Sequence, residues 1–471
     1  MARDLGTWGS SSRGQVNILR ITTGTSPGPI KWQLPPSKSH LIRALALFSQ
    51  SNQKVILYNV ANSGEDVKAM RMCLTQMGVS FEDYDSEGCK IEHSDVMNGN
   101  PHHNAVRWVM KGVGTDGFKQ PESILNAMNS GTALRFLAGL VARMKGPVTL
   151  DGDRSLRRRD SSAIWDSLRQ AGVQVSMVQE NQHLPVVVQG PWEKDKLAQG
   201  IELEISHSSQ PLSSWILASA ALPCDVQLNL IGKGVSNRHS QLTANMAESS
   251  GGQIQFKGTQ CSLSPWIPKS EEAYTVPGDA SMASFAMLAT YCLDSAIELL
   301  DWPEASQAIG HEILFNSAID CGIKWDDGVL ERTAFSSPVL LNVIDSNDIL
   351  PPLAALLSLG PGGRIIGASH AAHKESNRLS RTVELLQSFG LRASLLVDGI
   401  EVEGGQIPSQ PTHPVPTFDD HRIFMTAVLL AAKTGGDVIG QTLHHVADET
   451  FLERLENAGI GIETLDIELQ D

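Results

Sequence analysis

Six short clusters in the chain are rich in small hydroxyl or amide residues, four of them with a charged residue among them. In order they are Ser37-Lys38-Ser39, Asn129-Ser130-Gly131-Thr132, Ser208-Ser209-Gln210, Gly278-Asp279-Ala280-Ser281, Ser346-Asn347-Asp348 and Asp419-Asp420-His421-Arg422. Ser, Thr, Asp and Asn are the residues preferred at helix N-caps, so any one cluster alone reads as a cap. Six together predict more. A helix N-terminus presents unpaired N–H groups and about half a positive charge, which makes it an anion site. Cations reinforce the pattern: Lys38 and Arg43, Arg135, the run Arg154-Ser155-Leu156-Arg157-Arg158-Arg159, the pair Lys374 and Arg378, and Arg422. Lys374 and Arg378 are four apart and would share one face of a helix. The guanidinium fork suits phosphate and carboxylate, and a cation beside an apolar helix is costly to bury unless a partner or ligand compensates it. The chemistry expected is recognition of small, multiply anionic substrates where six helix N-termini converge.

Those clusters need helices behind them. Each is followed by an Ala/Leu-rich run that is apolar on most faces: His40–Ser49, Thr132–Met144, Leu212–Ala221, Met282–Leu293, Ile349–Leu359 and Ile423–Ala432. Helices of that kind are buried. A second, amphipathic set alternates with them: Ala69–Met77, Ile164–Ala171, Leu242–Ser250, Glu312–Cys321, Thr382–Phe389 and Phe451–Ala458. Each of these runs into glycine (Gly78, Gly172, Gly251-Gly252, Gly322, Gly390, Gly459), as a left-handed C-cap requires, and all but the third then enter a β-branched or leucine-led strand. The pattern predicts a repeat of about 70–95 residues, in the order strand, buried helix, strand, surface helix, strand. If the buried helices of three such units run parallel, their N-termini emerge on one face, and two such faces would sandwich a ligand. The segment Glu82–Lys119 interrupts the first unit and reads as an irregular surface excursion.

The chain has 471 residues, 41% hydrophobic and 19% charged, enough for two cores. A formal net charge of −15 disfavours nucleic acid and anionic membrane as partners. The six cysteines are scattered without metal-ligand spacing and read as reduced thiols of a cytoplasmic protein. No apolar run reaches the ~18–20 residues of a membrane span, and Met1–Gln15, polar and Gly/Ser-rich, reads as a flexible extension.

Taken as a set, Pro36-Ser37-Lys38-Ser39 with Arg43, Asn129 to Arg135, Ser208-Ser209-Gln210, Gly278 to Ser281, Lys374-Glu375-Ser376 with Arg378, and Asp420-His421-Arg422 resemble the motifs of the 5-enolpyruvylshikimate-3-phosphate synthase family. They occur in that family's order from about residue 16 to the end. The resemblance implies an α/β (α+β) enolpyruvyl transferase-like fold of two domains, each with three βαβαββ repeats, six in all. One domain would comprise 36–276 and the other 16–35 with 277–471, with hinges near Pro35–Pro36 and Val276–Pro277. It also implies transfer of the enolpyruvyl group of phosphoenolpyruvate to the 5-hydroxyl of shikimate 3-phosphate. Shikimate 3-phosphate would be held by Lys38, Ser39, Arg43, Ser208, Ser209, Ser236, Asp348 and Lys374. Phosphoenolpyruvate would be held by Lys38, Asn129, Gly131, Arg154, Gln210, Arg378 and Arg422. Asp348, Lys374, Glu375 and Lys38 would be catalytic, with Asp348 as base and Lys374 and Glu375 as proton donors and relays. The scheme needs no cofactor and no metal, and implies a cytoplasmic monomer whose partners are the two small substrates.

Several positions depart from the family. Its lysine shortly before the last helix, which contacts the phosphoenolpyruvate phosphate, falls in Leu443–Glu449, where the chain has His444 and His445 as substitutes but also Asp448 and Glu449. Its asparagine near Lys374 is His370, an arginine of that segment is Ala372, and the Pro-Tyr after Ser236 is Arg238-His239. Three other readings stand beside the synthase: an enolpyruvyl transferase for another acceptor, a relative of RNA-phosphate cyclase, which the −15 charge disfavours, and a relative that binds these ligands without turnover.

Overall fold

The computed structural model describes residues 15–24, 28–92, 98–179, 182–335 and 337–468. Of the extension expected over 1–15, only Gln15 lies among them, as the first residue of a strand.

In chain order the helices are α1 Lys38–Phe48, α2 Glu65–Gln76, α3 Gly131–Val141, α4 Ser162–Gln170, the short α5 Lys194–Leu197, α6 Gln210–Ala218 and α7 Asn237–Ser249. They continue as α8 Ala283–Cys292, α9 Glu312–Asn316, α10 Leu350–Leu359, α11 Arg378–Ser388, α12 His421–Thr434 and α13 Phe451–Asn457. The six apolar runs are α1, α3, α6, α8, α10 and α12, and nearly every residue of each is buried. The amphipathic set is α2, α4, α7, α9, α11 and α13. The glycine after each (Gly78, Gly172, Gly251, Gly322, Gly390, Gly459) has the left-handed φ, between 73° and 103°, that the repeat predicted. Each stands two residues past its helix except Gly322, because the helix expected over Glu312–Cys321 ends at Asn316 and continues as turns.

One sheet pattern recurs in five of the units, and the sixth keeps three of its strands with an isolated parallel bridge, Val415 to Val438, in place of the first. In the second unit Leu125–Asn126 pairs parallel with Val148–Asp151, which pairs antiparallel with Val186–Gln189, and that with Gln174–Met177. The third and fifth units repeat it with their own strands. The other three borrow one. Ala273–Thr275 supplies the first strand of the first unit, Ile30–Gln33 that of the fourth, and Gln15–Thr22 lies between Gly436–Ile439 and Gly461–Glu468 in the sixth. The chain therefore crosses between two bodies twice. The crossing segments pair with each other: the Ser37 N–H donates to the Pro277 carbonyl (2.8 Å) and the Asp279 N–H to the Pro35 carbonyl (2.8 Å).

Two separate apolar cores follow. One runs from Leu41 to Val276 around α1, α3 and α6; the other joins Leu19–Leu34 to Met282–Ile460 around α8, α10 and α12. Close approach of α3 and α6 depends on Gly139, where a Cβ would come within 2.5 Å of Ser214 Oγ and 3.0 Å of its carbonyl oxygen. The reading of Glu82–Lys119 as a surface excursion needs correction. Arg107–Lys111 within it is the strand between Lys54–Tyr58 and Ser80–Tyr84, with Trp108 and Met110 buried. Its alternation of buried and half-exposed residues is the period of a strand packed on one face.

Candidate active site

Between the two bodies lies a cavity of about 210 Å³. Five of the six buried helices bring their N-terminal clusters to its wall: Lys38 and Ser39 from α1, Gly131 and Thr132 from α3, Ser208 to Pro211 from α6, Ser346 to Asp348 before α10, and His421 from α12. The sixth does not reach it. Asp279, ahead of α8, turns its carboxylate onto Ser281 N (3.0 Å) and Ser281 Oγ (2.6 Å), while its own N–H is taken by Pro35. The expected convergence of six is thus one of five, with the fourth cluster spent on the crossing. Ser130 and Asp420 cap α3 and α12 with their side chains, whereas Ser37, Ser209 and Ser346 form no such cap bond with α1, α6 and the turn before α10.

The charges in this wall fall into two kinds. Arg378, fully buried, is saturated by carboxylates: Asp348 Oδ1 at 2.6 Å, Glu375 Oε2 at 2.5 Å and Asp420 Oδ2 at 2.9 Å. Burial disfavours its charge, but those carboxylates outweigh burial and raise its pKa. Lys38 pairs with Asp66 (2.9 Å), which with Glu375 and Asp348 outweighs burial and keeps it cationic. Burial works against the Asp348 carboxylate as well, yet Lys374 at 3.4 Å, then Arg378, Arg422 and Lys38, hold its pKa well below the usual range. Glu375 is likewise buried but held ionised by Arg378, Arg159 and Lys38.

Arg43 and Arg135 are of the second kind. Arg43 donates to Thr243 Oγ1 (2.7 Å) and to the carbonyls of Ser39 (2.8 Å) and His239 (3.1 Å). Arg135 donates to Gln210 Oε1 (2.7 Å) and to the carbonyls of Gly131 and Asp160. These acceptors are all neutral. Burial pushes the two guanidiniums down, to about 9 and about 10. A buried cation without a carboxylate is a place prepared for an anion.

Of the residues expected at the site, Lys38, Ser39, Arg43, Gly131, Ser208, Ser209, Gln210, Ser236, Asp348, Lys374, Glu375 and Arg378 line the cavity; Asn129, Arg154 and Arg422 do not. Arg422 lies behind the wall, donating to Ser281 Oγ (2.9 Å) and packed over the Phe285 ring, near enough to favour the Asp348 charge. In the 154–159 run the short 3₁₀ turn Leu156–Arg158 brings Arg159 to the cavity, 3.6 Å from Glu375. Asn129 holds that arginine through Oδ1 (2.5 Å) and donates to Asp153 (2.7 Å). Lys374 and Arg378 do not share a helix face: Lys374 is extended and α11 begins at Arg378. At Gly131 a Cβ would stand 2.6 Å from Arg135 Nη1, so the missing side chain makes room for that guanidinium.

Sequence reasoning missed Arg159, Asp66 and a set of histidines in the wall: His207, His239, His311 and His373. Asp66 meets Lys38 only because α2 packs beside α1, which no local spacing of residues reveals. No residue of Leu443–Glu449 lines the cavity. His444 is buried, stacked on Phe424, and pushed down to about 3 by burial and His445, so it stays neutral. Asp448 is paired with Arg454 (2.9 Å) and Glu449 with Lys68, so neither opposes an anion. Among the described residues no group of three or more His, Cys, Asp or Glu could hold a metal ion, and no helix is long and apolar enough to cross a membrane.

Comparison with known proteins bears on this cleft. A family model described as EPSP synthase (3-phosphoshikimate 1-carboxyvinyltransferase) matches residues 28–455. The 3-phosphoshikimate 1-carboxyvinyltransferase of Methanosarcina acetivorans is 27% identical over 442 residues, covering 92% of this chain and 96% of that protein. Its counterpart in Methanosphaera stadtmanae is 27% identical over 433 residues, 89% and 94% of the two chains. Among solved structures, an EPSP synthase from Acinetobacter baumannii superposes with a TM-score of 0.73 at 22% identity, over 95% of this chain and 100% of that one. The enolpyruvyl transferase NikO from Streptomyces tendae gives 0.66 at 14% identity, over 97% and 100%. At these identities the two structures establish the shared fold.

Proposed function

The chain belongs to the EPSP synthase family, and from that premise we propose that its cleft transfers the enolpyruvyl group of phosphoenolpyruvate to the 5-hydroxyl of shikimate 3-phosphate, giving 5-enolpyruvylshikimate 3-phosphate and phosphate. The observation that carries this reading is the pairing of two unlike features in one cavity: an ionised Asp348 beside Lys374, and two buried guanidiniums that lack a carboxylate. The first is chemistry for a hydroxyl, the second a seat for anionic groups on either side of it.

In this scheme Ser39, Arg43, Ser208, Ser209 and Ser236 hold shikimate 3-phosphate, with Lys38 between the ligands. Gly131, Gln210 and Arg378 hold phosphoenolpyruvate, Arg159 serves from the run in which Arg154 was expected, Asn129 acts through Arg159, and Arg422 supports the site from behind. The 5-hydroxyl oxygen attacks C2 of the enol and its proton passes to Asp348, while C3 gains a proton from Lys374 or Glu375. The tetrahedral adduct then loses a proton from C3 and expels phosphate, which restores the double bond. Glu375 is a carboxylate in the empty cleft; the anionic groups of phosphoenolpyruvate, by engaging Arg378 and Arg159, loosen their hold on it and raise its proton affinity. Cations around the adduct stabilise its charge as it forms.

The domain boundaries we assign are 36–276 for one body and 16–35 with 277–471 for the other, with both crossings at the paired Pro35–Ser37 and Pro277–Asp279 segments. The same reading makes the protein a monomer of the cytoplasm with small-molecule partners only, in keeping with its −15 charge. A coupled phosphate-release assay tests the reaction. Release is expected only with both substrates present, and Asp348→Asn is expected to lower kcat by about 10²–10⁴-fold. Folded protein that releases no phosphate at millimolar substrates overturns the proposal.

A further inference from the structure

At the end of the cavity occupied by Ser236, Asp348 and Arg43, the buried polar atoms without a partner include His311 Nε2, His370 Nδ1 and Asn347 Nδ2. Their residues are 3–4% exposed. Buried polar groups in native proteins are nearly always satisfied, so several orphans in one wall point to a ligand that completes them. His311 is the informative one. It precedes α9, in the body opposite Arg43, and its ring meets His239 edge-on across the cleft at 6.4 Å. Its Nδ1 lies 2.8 Å from the Ala308 carbonyl oxygen. A carbonyl only accepts, so Nδ1 carries the proton, and in a neutral ring Nε2 is then a lone pair. Burial pushes this imidazole below its ordinary pKa, and the nearby Arg422 works in the same direction against Asp279 and Asp348, so the ring is neutral.

A lone pair in this position cannot pair with a phosphate or a carboxylate, which are acceptors themselves. It needs a donor. The charged groups of the substrates go to guanidiniums, serines and lysines elsewhere in the wall, which leaves a hydroxyl. We propose that His311 Nε2 accepts a hydrogen bond from the non-reacting 4-hydroxyl of shikimate 3-phosphate, so that His311 is a specificity-determining residue for the acceptor. This rests on the proposed function and deepens it. The 5-hydroxyl is assigned to Asp348, whose charge His311 senses; the 4-hydroxyl is its ring neighbour.

The two nitrogens can be separated by substitution. In His311→Asn the side-chain amide N–H takes the place of Nδ1–H and keeps the bond to Ala308, but nothing occupies the Nε2 position. In His311→Gln a carbonyl oxygen reaches that position. The wild type, both variants and the 4-deoxy analogue of shikimate 3-phosphate are assayed by steady-state kinetics, with thermal unfolding as a check on folding. For His311→Asn the KM for shikimate 3-phosphate is expected to rise about tenfold, the size of one lost neutral hydrogen bond, with the phosphoenolpyruvate KM unchanged. His311→Gln is expected to recover most of that loss. The 4-deoxy analogue is expected to bind about tenfold worse than the parent to the wild type, and no worse than the parent to His311→Asn. An acceptor KM within twofold of wild type in folded His311→Asn overturns the inference, as does an equal loss for both substrates or a full penalty for the 4-deoxy analogue in the variant. Absence of turnover by the wild type overturns the functional reading and this inference with it; wild-type turnover with an indifferent His311→Asn overturns the inference alone.

Discussion

Arg43 and Arg378 are both arginines buried to within 1% exposure, and their surroundings predict opposite responses to the same substitution. Arg378 sits among Asp348, Glu375 and Asp420, so removing it leaves three carboxylates facing one another in a buried wall. Loss of one partner from a buried ion cluster costs about 3–5 kcal/mol, and Arg378→Met is expected to destabilise the empty protein by that much. Arg43 has only neutral acceptors and the Phe136 ring at 5.3 Å. Replacing it removes a desolvated cation that nothing compensates, so Arg43→Met is expected to leave unfolding of the empty protein within about 1 kcal/mol of wild type. Its effect belongs to binding instead: affinity for shikimate 3-phosphate is expected to fall at least about 100-fold, as when an anion loses a buried charged partner. Chemical unfolding of both variants with calorimetry of the acceptor decides it. Comparable destabilisation by the two substitutions would mean that Arg43 is a structural ion and not an anion seat.

At the scale of elements, α3 and α6 carry Gly131 and Gln210 to the same cavity and are held in contact at Gly139. Alanine is the better helix former there by about 1 kcal/mol. Space decides the sign. The added methyl would press on Ser214, whose hydroxyl is fixed to the Arg135 carbonyl at 2.5 Å, and on Ser214's own backbone, neither of which can swing away. Gly139→Ala is therefore expected to destabilise by about 1–3 kcal/mol and to raise the phosphoenolpyruvate KM by separating Gly131 from Gln210; a gain in unfolding midpoint would refute the close packing. Elements of this kind were the legible part of the chain, because all-round apolarity and a terminal glycine are local signals, and both sets of six helices follow them. Legibility failed where position is set at long range. The strand Arg107–Lys111 is a short one between turn-rich stretches, Asn98–Pro101 and Gly112–Gly117, and its pairing partners are set by chain far from it. Arg159 was passed over for Arg154 because a 3₁₀ turn, invisible in the spacing of an arginine run, decides which of them faces inward. His311 and Asp66 reach the site on different units, and nothing in their local sequence distinguishes them from ordinary loop and helix residues.

Over the whole molecule two of the ion pairs between the bodies, Arg238 with Glu312 and Lys68 with Glu449, are exposed or half-exposed and contribute little to holding the cleft shut. Arg159 and Glu375 meet across it at 3.6 Å in a mostly buried setting. A stronger global property lies in the histidines buried as neutral rings in both bodies. Burial pushes His40 and His444 to about 3 and His370 to about 4, and takes His239 and His421 well below the ordinary value. In the unfolded chain each titrates near 6.5. As pH falls below 6.5 the unfolded state gains protons that the folded state does not, so stability is lost steadily down toward those folded values. Asp348 and Glu375 contribute no slope in that window. Their folded pKa values are depressed, so they are ionised in both states above about pH 5, and their contribution fades only at lower pH. The unfolding free energy is therefore expected to drop between pH 7.5 and 5.5 by about 1 kcal/mol for each such histidine. His444 isolates one of them: it lies at the C-terminal turn rather than in the cavity wall, stacks on Phe424 at 15°, and has a buried Nδ1 without a partner. His444→Phe keeps the ring and removes the titration, so the gap between the two pH values is expected to narrow by about 1 kcal/mol while activity at pH 7.5 is unchanged. Denaturant unfolding of wild type and variant at both pH values measures it. A wild-type stability flat across the window, or a gap that His444→Phe leaves untouched, would show that these rings are not held neutral in the folded protein.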